Sequence, residues 1–420
     1  MARFKARLPS RHLLRRLRLS RDKGAIFIAP DETGSLGDGA MLQAGVDYLK
    51  QQGFSKFCIV YPQYIDDEPK TWDHISGVNE YIGVQYLYQP ENNKDAVIAS
   101  LKRYWQDLAR FVGLSKSYGY VYCIGADVVD GYYSTEICDF LSGLMSLAHA
   151  AGANTTLAGF SFNKIPKPQA VELLNAVPRN VRFCSRDPFS QHRAQQTLSR
   201  PVELVADLAF LLQPMEQSPQ VKSLLAWVLK EQSFGRIVIG VNTNAMLLRS
   251  VEGLTVEGFI EHYIQTLEQL SEAQPNLSYL MLPHDDRYEI HDVYLTQLLL
   301  EQLSPTMRSR CNSLAFPCAP GEVKAICRDL DLVVASRMHV AIAALGQGTP
   351  TLSITYQDKH EGLYEHFNLS ELLVTPEEAF QPQGLVRRIQ ACLPKREALR
   401  QKIEAKLPQV MALARANFSL

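Results

Sequence analysis

The stretch Val333-Val334-Ala335-Ser336-Arg337-Met338-His339-Val340-Ala341-Ile342-Ala343-Ala344-Leu345-Gly346-Gln347-Gly348-Thr349-Pro350 decides the fold class. A buried-type apolar strand stops at Ser-Arg-Met-His, and a helix of small apolar residues begins at once. The next strand is Thr351–Ile354. A strand running straight into an apolar helix and then a second strand is the unit of a parallel sheet covered by helices. Arg337 and His339 fall at the helix start, where the helix dipole and the guanidinium both favour an anion. A core histidine with satisfied hydrogen bonds is the competing reading of His339.

The same alternation continues outward. Ala25–Ala29, Lys56–Tyr61, Tyr120–Ile124, Thr155–Ala158, Val181–Cys184 and Glu203–Val205 read as strands, and Met41–Gln52 and Leu141–Ala151 as helices. The pattern breaks around Gln213–Gln220, at Pro214 and Pro219. It resumes with Arg236–Val241, Tyr279–Leu282, Leu314–Phe316 and Leu332–Ala335. The expectation is an α/β protein with two domains, 24–215 and 216–394, preceded by an extension (1–23) and followed by a charged C-terminal helix (395–420). Ligands bind beyond the carboxyl ends of such strands, so two facing domains place a site in the cleft between them.

Composition agrees with a globular chain. Of 420 residues, 46% are apolar and 21% charged, which excludes a disordered, collagen-like or coiled-coil protein. A net charge of −1 gives no argument for a nucleic-acid partner. No two of the eight cysteines are spaced as CxxC. Buried thiols in a reducing, cytoplasmic compartment are expected, with no zinc site and no disulfide framework. No apolar run approaches the roughly 18–20 residues of a membrane span, and no signal-peptide core is present.

The extension is the exception to this balance. Arg3, Lys5, Arg7, Arg11, Arg15, Arg16, Arg18, Arg21 and Lys23 face the single acid Asp22, and Leu13, Leu14 and Leu17 share a helical face. Such a segment suits an anionic membrane surface. A solvated tail and an organellar transit peptide are the alternatives.

Five further segments follow strands and so share the sheet edge with Arg337 and His339. In Asp31–Ala40, Gly34, Gly37 and Gly39 permit tight turns, and Ser35 and Asp38 lie at a helix start; a plain strand-to-helix turn is the alternative. In Ile124–Tyr133, after Gly125, Asp127 or Asp130 can orient a hydroxyl or act as a base, or else cap a helix. Arg186, in Cys184–Pro188, can fork to a carboxylate or phosphate, or pair with a structural partner. His284, in Leu282–Arg287, can titrate near neutrality beside acids, or sit in a surface loop. Lys359, in Thr355–Leu363, offers a further cation, or belongs to a solvated loop.

Together these motifs resemble the polysaccharide pyruvyl transferase family. The resemblance rests on Gly34–Ala40, Gly125–Asp130, Ser185-Arg186-Asp187, Ala206-Asp207, Pro283-His284-Asp285, Ser336-Arg337-Met338-His339 and Lys359–Leu363, in that order over residues 25–375. Two loops depart from the family pattern: Ser35 stands for an Asn and Gly39 for an acid, and Ala126-Asp127 follow Gly125 where a glycine triplet is usual. The resemblance implies two Rossmann-like domains facing across a cleft, as in GT-B glycosyltransferases. It implies phosphoenolpyruvate as donor and a sugar hydroxyl pair on a bacterial surface polysaccharide or its precursor as acceptor. A pyruvate ketal forms and phosphate is released. On that reading His339 is the general acid or base, assisted by His284, and Asp127 or Asp130 orients the acceptor. Arg337, Arg186, Lys359 and Ser336 hold the donor, and Gly34, Ser35, Gly37, Asp38 and Gly125 form the acceptor loops. Phosphoenolpyruvate is a co-substrate, and neither a cofactor nor a metal is required.

Two other functions fit the same architecture. A sugar-nucleotide glycosyltransferase would need a nucleotide-reading carboxylate, for which Glu361 is the candidate. A non-catalytic subunit of a polysaccharide-synthesis complex would use the basic extension. A lipid-linked acceptor, with the protein peripheral at the inner membrane, would suit that extension.

Overall fold

The structure, a computed structural model, describes residues 23–30, 35–63, 75–85, 94–287, 289–356 and 359–418. Residues 1–22 of the basic extension, and Gly34, lie outside the described residues.

Two parallel sheets organise the chain. The first contains β1 (Lys23–Ile28), β2 (Phe54–Gln63), β3 (Glu80–Gln85), β4 (Tyr120–Ala126), β5 (Asn154–Phe160), β6 (Arg182–Ser185) and β7 (Glu203–Leu204) in the order β3-β2-β1-β4-β5-β6-β7. The second contains β8 (Ile237–Val241), β9 (Leu277–Met281), β10 (Cys311–Ser313), β11 (Leu332–Ala335), β12 (Thr351–Ile354) and β13 (Leu373–Val374) in the order β10-β9-β8-β11-β12-β13. In β1, Ala25, Ile26, Phe27 and Ile28 are all fully buried. Neighbouring residues of a strand point to opposite faces, so both faces of this sheet are covered.

Three local departures from the sequence reading have physical causes. The edge strands β3 and β13 were not expected: β13 has two residues, too few for a pattern. β10 occupies Cys311–Ser313 in register with Tyr279–Met281, rather than Leu314–Phe316. Pro317 has no N–H and restrains Phe316, so the ladder ends before them. The first helix starts at Leu36 rather than Met41, because Ser35 caps it and its Oγ accepts the N–H of Asp38 at 3.3 Å. Gly37 and Gly39 are therefore helical residues rather than loop.

The two halves share one apolar core. The turn Leu208–Leu211 and the helix Leu36–Gln51 pack against the helices Pro320–Arg328 and Met338–Leu345. Lys324 is buried in this joint, and its Nζ donates to the carbonyls of Ala209 (3.1 Å) and Phe210 (2.8 Å). The C-terminal helix Arg396–Arg415 carries the chain back to the first half. There Phe418 packs on Tyr48 and Tyr122, and Asn417 Nδ2 donates to the Ala206 carbonyl at 2.9 Å. All eight cysteines are buried.

Candidate active site

The carboxyl edges of both sheets open onto one cleft of about 620 Å³. The loop after β4 brings Asp127, the turn after β6 Arg186, and the loop after β9 His284 and Asp285. From β11 come Arg337 and His339, from β12 Tyr356, and from the helix Lys359–Glu365 its first residue, Lys359. Ser35, Gly37 and Asp38 line the same cleft from the first half. An isolated antiparallel bridge between Ser35 and Asp285, both of which line the cleft, joins the halves.

Arg337, Arg186 and Lys359 are each held by a carboxylate. Arg337 forks onto Asp292, Nε at 3.0 Å and Nη2 at 2.7 Å, with Nη1 3.3 Å from Asp285. Arg186 reaches Asp207 at 2.9 Å and the Ser161 hydroxyl at 2.8 Å, and is almost wholly buried. Lys359 Nζ donates across the cleft to Asp127 at 2.6 Å, and Tyr133 Oη donates to the same oxygen at 3.1 Å. Burial alone would raise the Asp127 carboxyl. The Lys359 ammonium, with Arg186 and these hydrogen bonds, overrides burial and holds it well below its ordinary value. Burial likewise works against Asp207, but His339, Arg186 and the Ala209 N–H bring it down to about 2.

His339 occupies the first turn of its helix and presses on Gly37. A Cβ on Gly37 would lie 2.2 Å from its Nδ1. Its Nε2 is 3.6 Å from Asp207 Oδ2 and has no hydrogen bond. Neither ring nitrogen of His284 has a partner, and the ring is buried. Burial, then the proximity of His339 and Arg337, pushes its pKa down to about 3. His284 is therefore a neutral imidazole in the cleft wall. His360, buried behind Lys359, is in the same condition at about 3, from burial and the Lys359 charge.

Three residues expected in the site are placed elsewhere. Asp130 does not line the cleft: its oxygens accept the N–H of Tyr132 at 3.0 Å and two bonds from Asn163 at 2.7 and 2.8 Å. Asp130 is thus a loop staple, and neither it nor Asp127 caps the helix Thr135–Ala150, which Ser134 does. Ser336 is fully buried, its hydroxyl donating to the Asn242 carbonyl at 3.0 Å. Gly125 serves close packing, since a Cβ there would lie 2.3 Å from Phe160 Cβ. Glu361 does not line the cleft.

Residues missed at the sequence level complete the frame. Asn242 follows β8, and its Oδ1 accepts the N–H groups of Arg337 (2.8 Å) and Ser336 (3.1 Å), fixing the turn that aims Arg337. The strand-end rule that found the other segments would have found Asn242-Thr243-Asn244. Asp292 opens the helix Asp292–Gln302 with no motif around it; only the fold brings it to Arg337. Among the described residues, no group of three or more His, Cys, Asp or Glu side chains is placed to hold a metal.

Two helix-covered parallel sheets with a shared cleft and a returning C-terminal helix define a GT-B-like α/β protein. Solved structures of this shape include a putative UDP-N-acetylglucosamine 2-epimerase from Listeria monocytogenes (TM-score 0.56, 10% identity, covering 96% of this chain and 97% of that one). Sucrose-phosphate synthase from Thermosynechococcus elongatus is similar (0.55, 12%, 94% and 97%), as is a glycosyltransferase from Rickettsia africae (0.52, 12%, 95% and 99%). At these identities the likeness shows the fold alone. No curated protein matches the sequence. The polysaccharide pyruvyl transferase family model matches residues 36–358, and the chain belongs to that family. No helix among the described residues is long and apolar enough to cross a membrane.

Proposed function

We propose that this cleft transfers the pyruvyl group of phosphoenolpyruvate to a hydroxyl pair on a sugar of a surface polysaccharide or its precursor. The observation that carries the reading is the convergence of Arg186, Arg337 and Lys359, from both halves, on a cleft that also holds His339. A donor with a carboxylate and a phosphate needs convergent cations. His339 gives a proton to the donor's methylene carbon, which becomes the methyl group, and takes one from the first attacking sugar hydroxyl as its oxygen bonds to the neighbouring carbon. The second hydroxyl then displaces phosphate at that carbon and its proton leaves with the phosphate, so both hydroxyl protons are accounted for. Asp127 orients the acceptor. A lipid-linked acceptor and contact of the basic extension with an anionic membrane surface are parts of the same proposal.

The test is calorimetric titration of the full chain with phosphoenolpyruvate, beside Lys359→Ala and Arg337→Ala. Saturable binding weakened at least tenfold in both variants is expected. A wild type that binds a sugar nucleotide and not phosphoenolpyruvate, with or without a sugar acceptor present, would overturn the reading.

A further inference from the structure

We propose that Asp207 is the positioning residue for His339: it dictates which ring nitrogen carries the proton, so the proton-transfer group is set by a contact across the two halves. The inference rests on the reading of His339 just given. Asp207 follows β7 and opens the turn Leu208–Leu211 of the first half; His339 belongs to the second. Its carboxylate is fixed on every side but one. Oδ1 accepts the Ala209 N–H at 2.8 Å, Oδ2 accepts Arg186 at 2.9 Å, and the residue is buried. Oδ2 is also 3.6 Å from His339 Nε2, a nitrogen that is itself buried and makes no hydrogen bond. Asp207 does not reach the cleft and so touches no substrate.

An ionised carboxylate only accepts hydrogen bonds. The neutral ring that satisfies Asp207 therefore carries its hydrogen on Nε2, and the lone pair lies on Nδ1, the nitrogen beside the cleft-lining Gly37. At 3.6 Å the contact is longer than a hydrogen bond, and catalytic hydrogen bonds that are long without substrate tighten when it binds. The other titratable or charged groups around this pair do not compete for Nε2. His284 and His360 are held neutral by burial, and Arg337 is taken by Asp292 and Asp285. Lys324 donates to backbone carbonyls, and Arg186 donates to Asp207 itself. An Asp that fixes a His tautomer without itself taking the proton is the logic of hydrolase triads, where replacement by Asn costs about 10⁴-fold in turnover.

The experiment is ¹⁵N NMR of the histidine rings in the full chain, at a pH where the His339 ring is neutral, with its signal assigned by its loss in His339→Gln. The wild type is expected to show the Nε2–H tautomer and Asp207→Asn to shift toward Nδ1–H. In the same variant, turnover falls about 10²–10⁴-fold while KM for phosphoenolpyruvate stays within a few-fold. A neutral Nδ1–H tautomer in the wild type overturns the proposal whether or not Asp207→Asn folds. So does an unchanged tautomer and rate in a folded Asp207→Asn. A wild type without pyruvyl transfer would refute the proposed reaction and leave the tautomer measurement intact.

Discussion

Replacing Gly37 by alanine separates activity from stability. Gly37 sits in the first turn of the helix Leu36–Gln51 with no unusual backbone angle, so an alanine there is favoured as a helix former by up to about 1 kcal/mol. Yet its methyl group would lie 2.2 Å from His339 Nδ1 and 2.8 Å from Cε1 and Cγ, where ordinary contact begins at 3.4 Å. The ring must retreat by about 1.2 Å, and on its far side stands Asp207 at 3.6 Å. A misplacement of about 1 Å at a reacting group costs on the order of 10²-fold in rate. We expect Gly37→Ala to melt no more than about a degree or two below the wild type. It should release phosphate from phosphoenolpyruvate roughly 100-fold more slowly, with methyl hexopyranosides as acceptors. Wild-type turnover in a folded Gly37→Ala would refute the reasoning, because His339 could then not be held where the geometry puts it.

Ala126 ends β4 with φ of 43°, in the left-handed region; Ala126→Gly should relieve strain worth up to about 1 kcal/mol, net of glycine's chain entropy, and a lower melting temperature would contradict this. Burial lowers Lys324 from 10.5 to about 7, so between about pH 7 and 10.5 the unfolded chain binds more protons and this group's contribution to stability rises with pH, being lost as pH falls through 7. The stability of the wild type relative to Lys324→Met should therefore increase by up to about 3 kcal/mol between pH 6 and 9 in denaturant titrations, and a flat difference would show that the ammonium is not desolvated. Asp127→Asn should tighten phosphoenolpyruvate binding roughly 3- to 5-fold, since a competing partner worth about 1 kcal/mol leaves Lys359; weaker binding by calorimetry would mean that Asp127 positions Lys359 instead.

What the sequence disclosed was what lies at strand ends. His339, Arg337, Arg186, Asp127 and His284 each follow an apolar run that can only be a parallel strand, and parallel strands deliver their ends to one edge. The order of strands, and hence which ends become neighbours, is not a local property. So the Lys359–Asp127 pair, made by residues of different halves, was invisible, and so was the Asp207–His339 contact. Asp130 misled because an Asp in a loop after a strand reads the same whether it faces a ligand or staples its own turn to Asn163. Ser336 misled for the related reason that a hydroxyl beside a site is as readily spent on the backbone. Asp292 carried no signal at all, being the first residue of an ordinary helix.

The pairing of the cations bears on the order of events. For a donor bringing a phosphate and a carboxylate, the ion pairs of the cleft differ in how readily they open. Asp292 is fully buried and Asp207 almost so. Stripping Arg337 or Arg186 from them would leave a sealed carboxylate without its counter-charge, the costly way to break a buried pair. The Asp127 side chain is 21% exposed and is held also by the Tyr133 hydroxyl, so it can be solvated when Lys359 turns to the donor. On the proposed reaction, donor binding at Lys359 would free Asp127 beside the cleft, and a free carboxylate is the group that can accept a hydrogen bond from a sugar hydroxyl. On the proposed reaction the Lys359–Asp127 contact would couple the two substrates: the anion would take the lysine, and its departure would prepare the acceptor side.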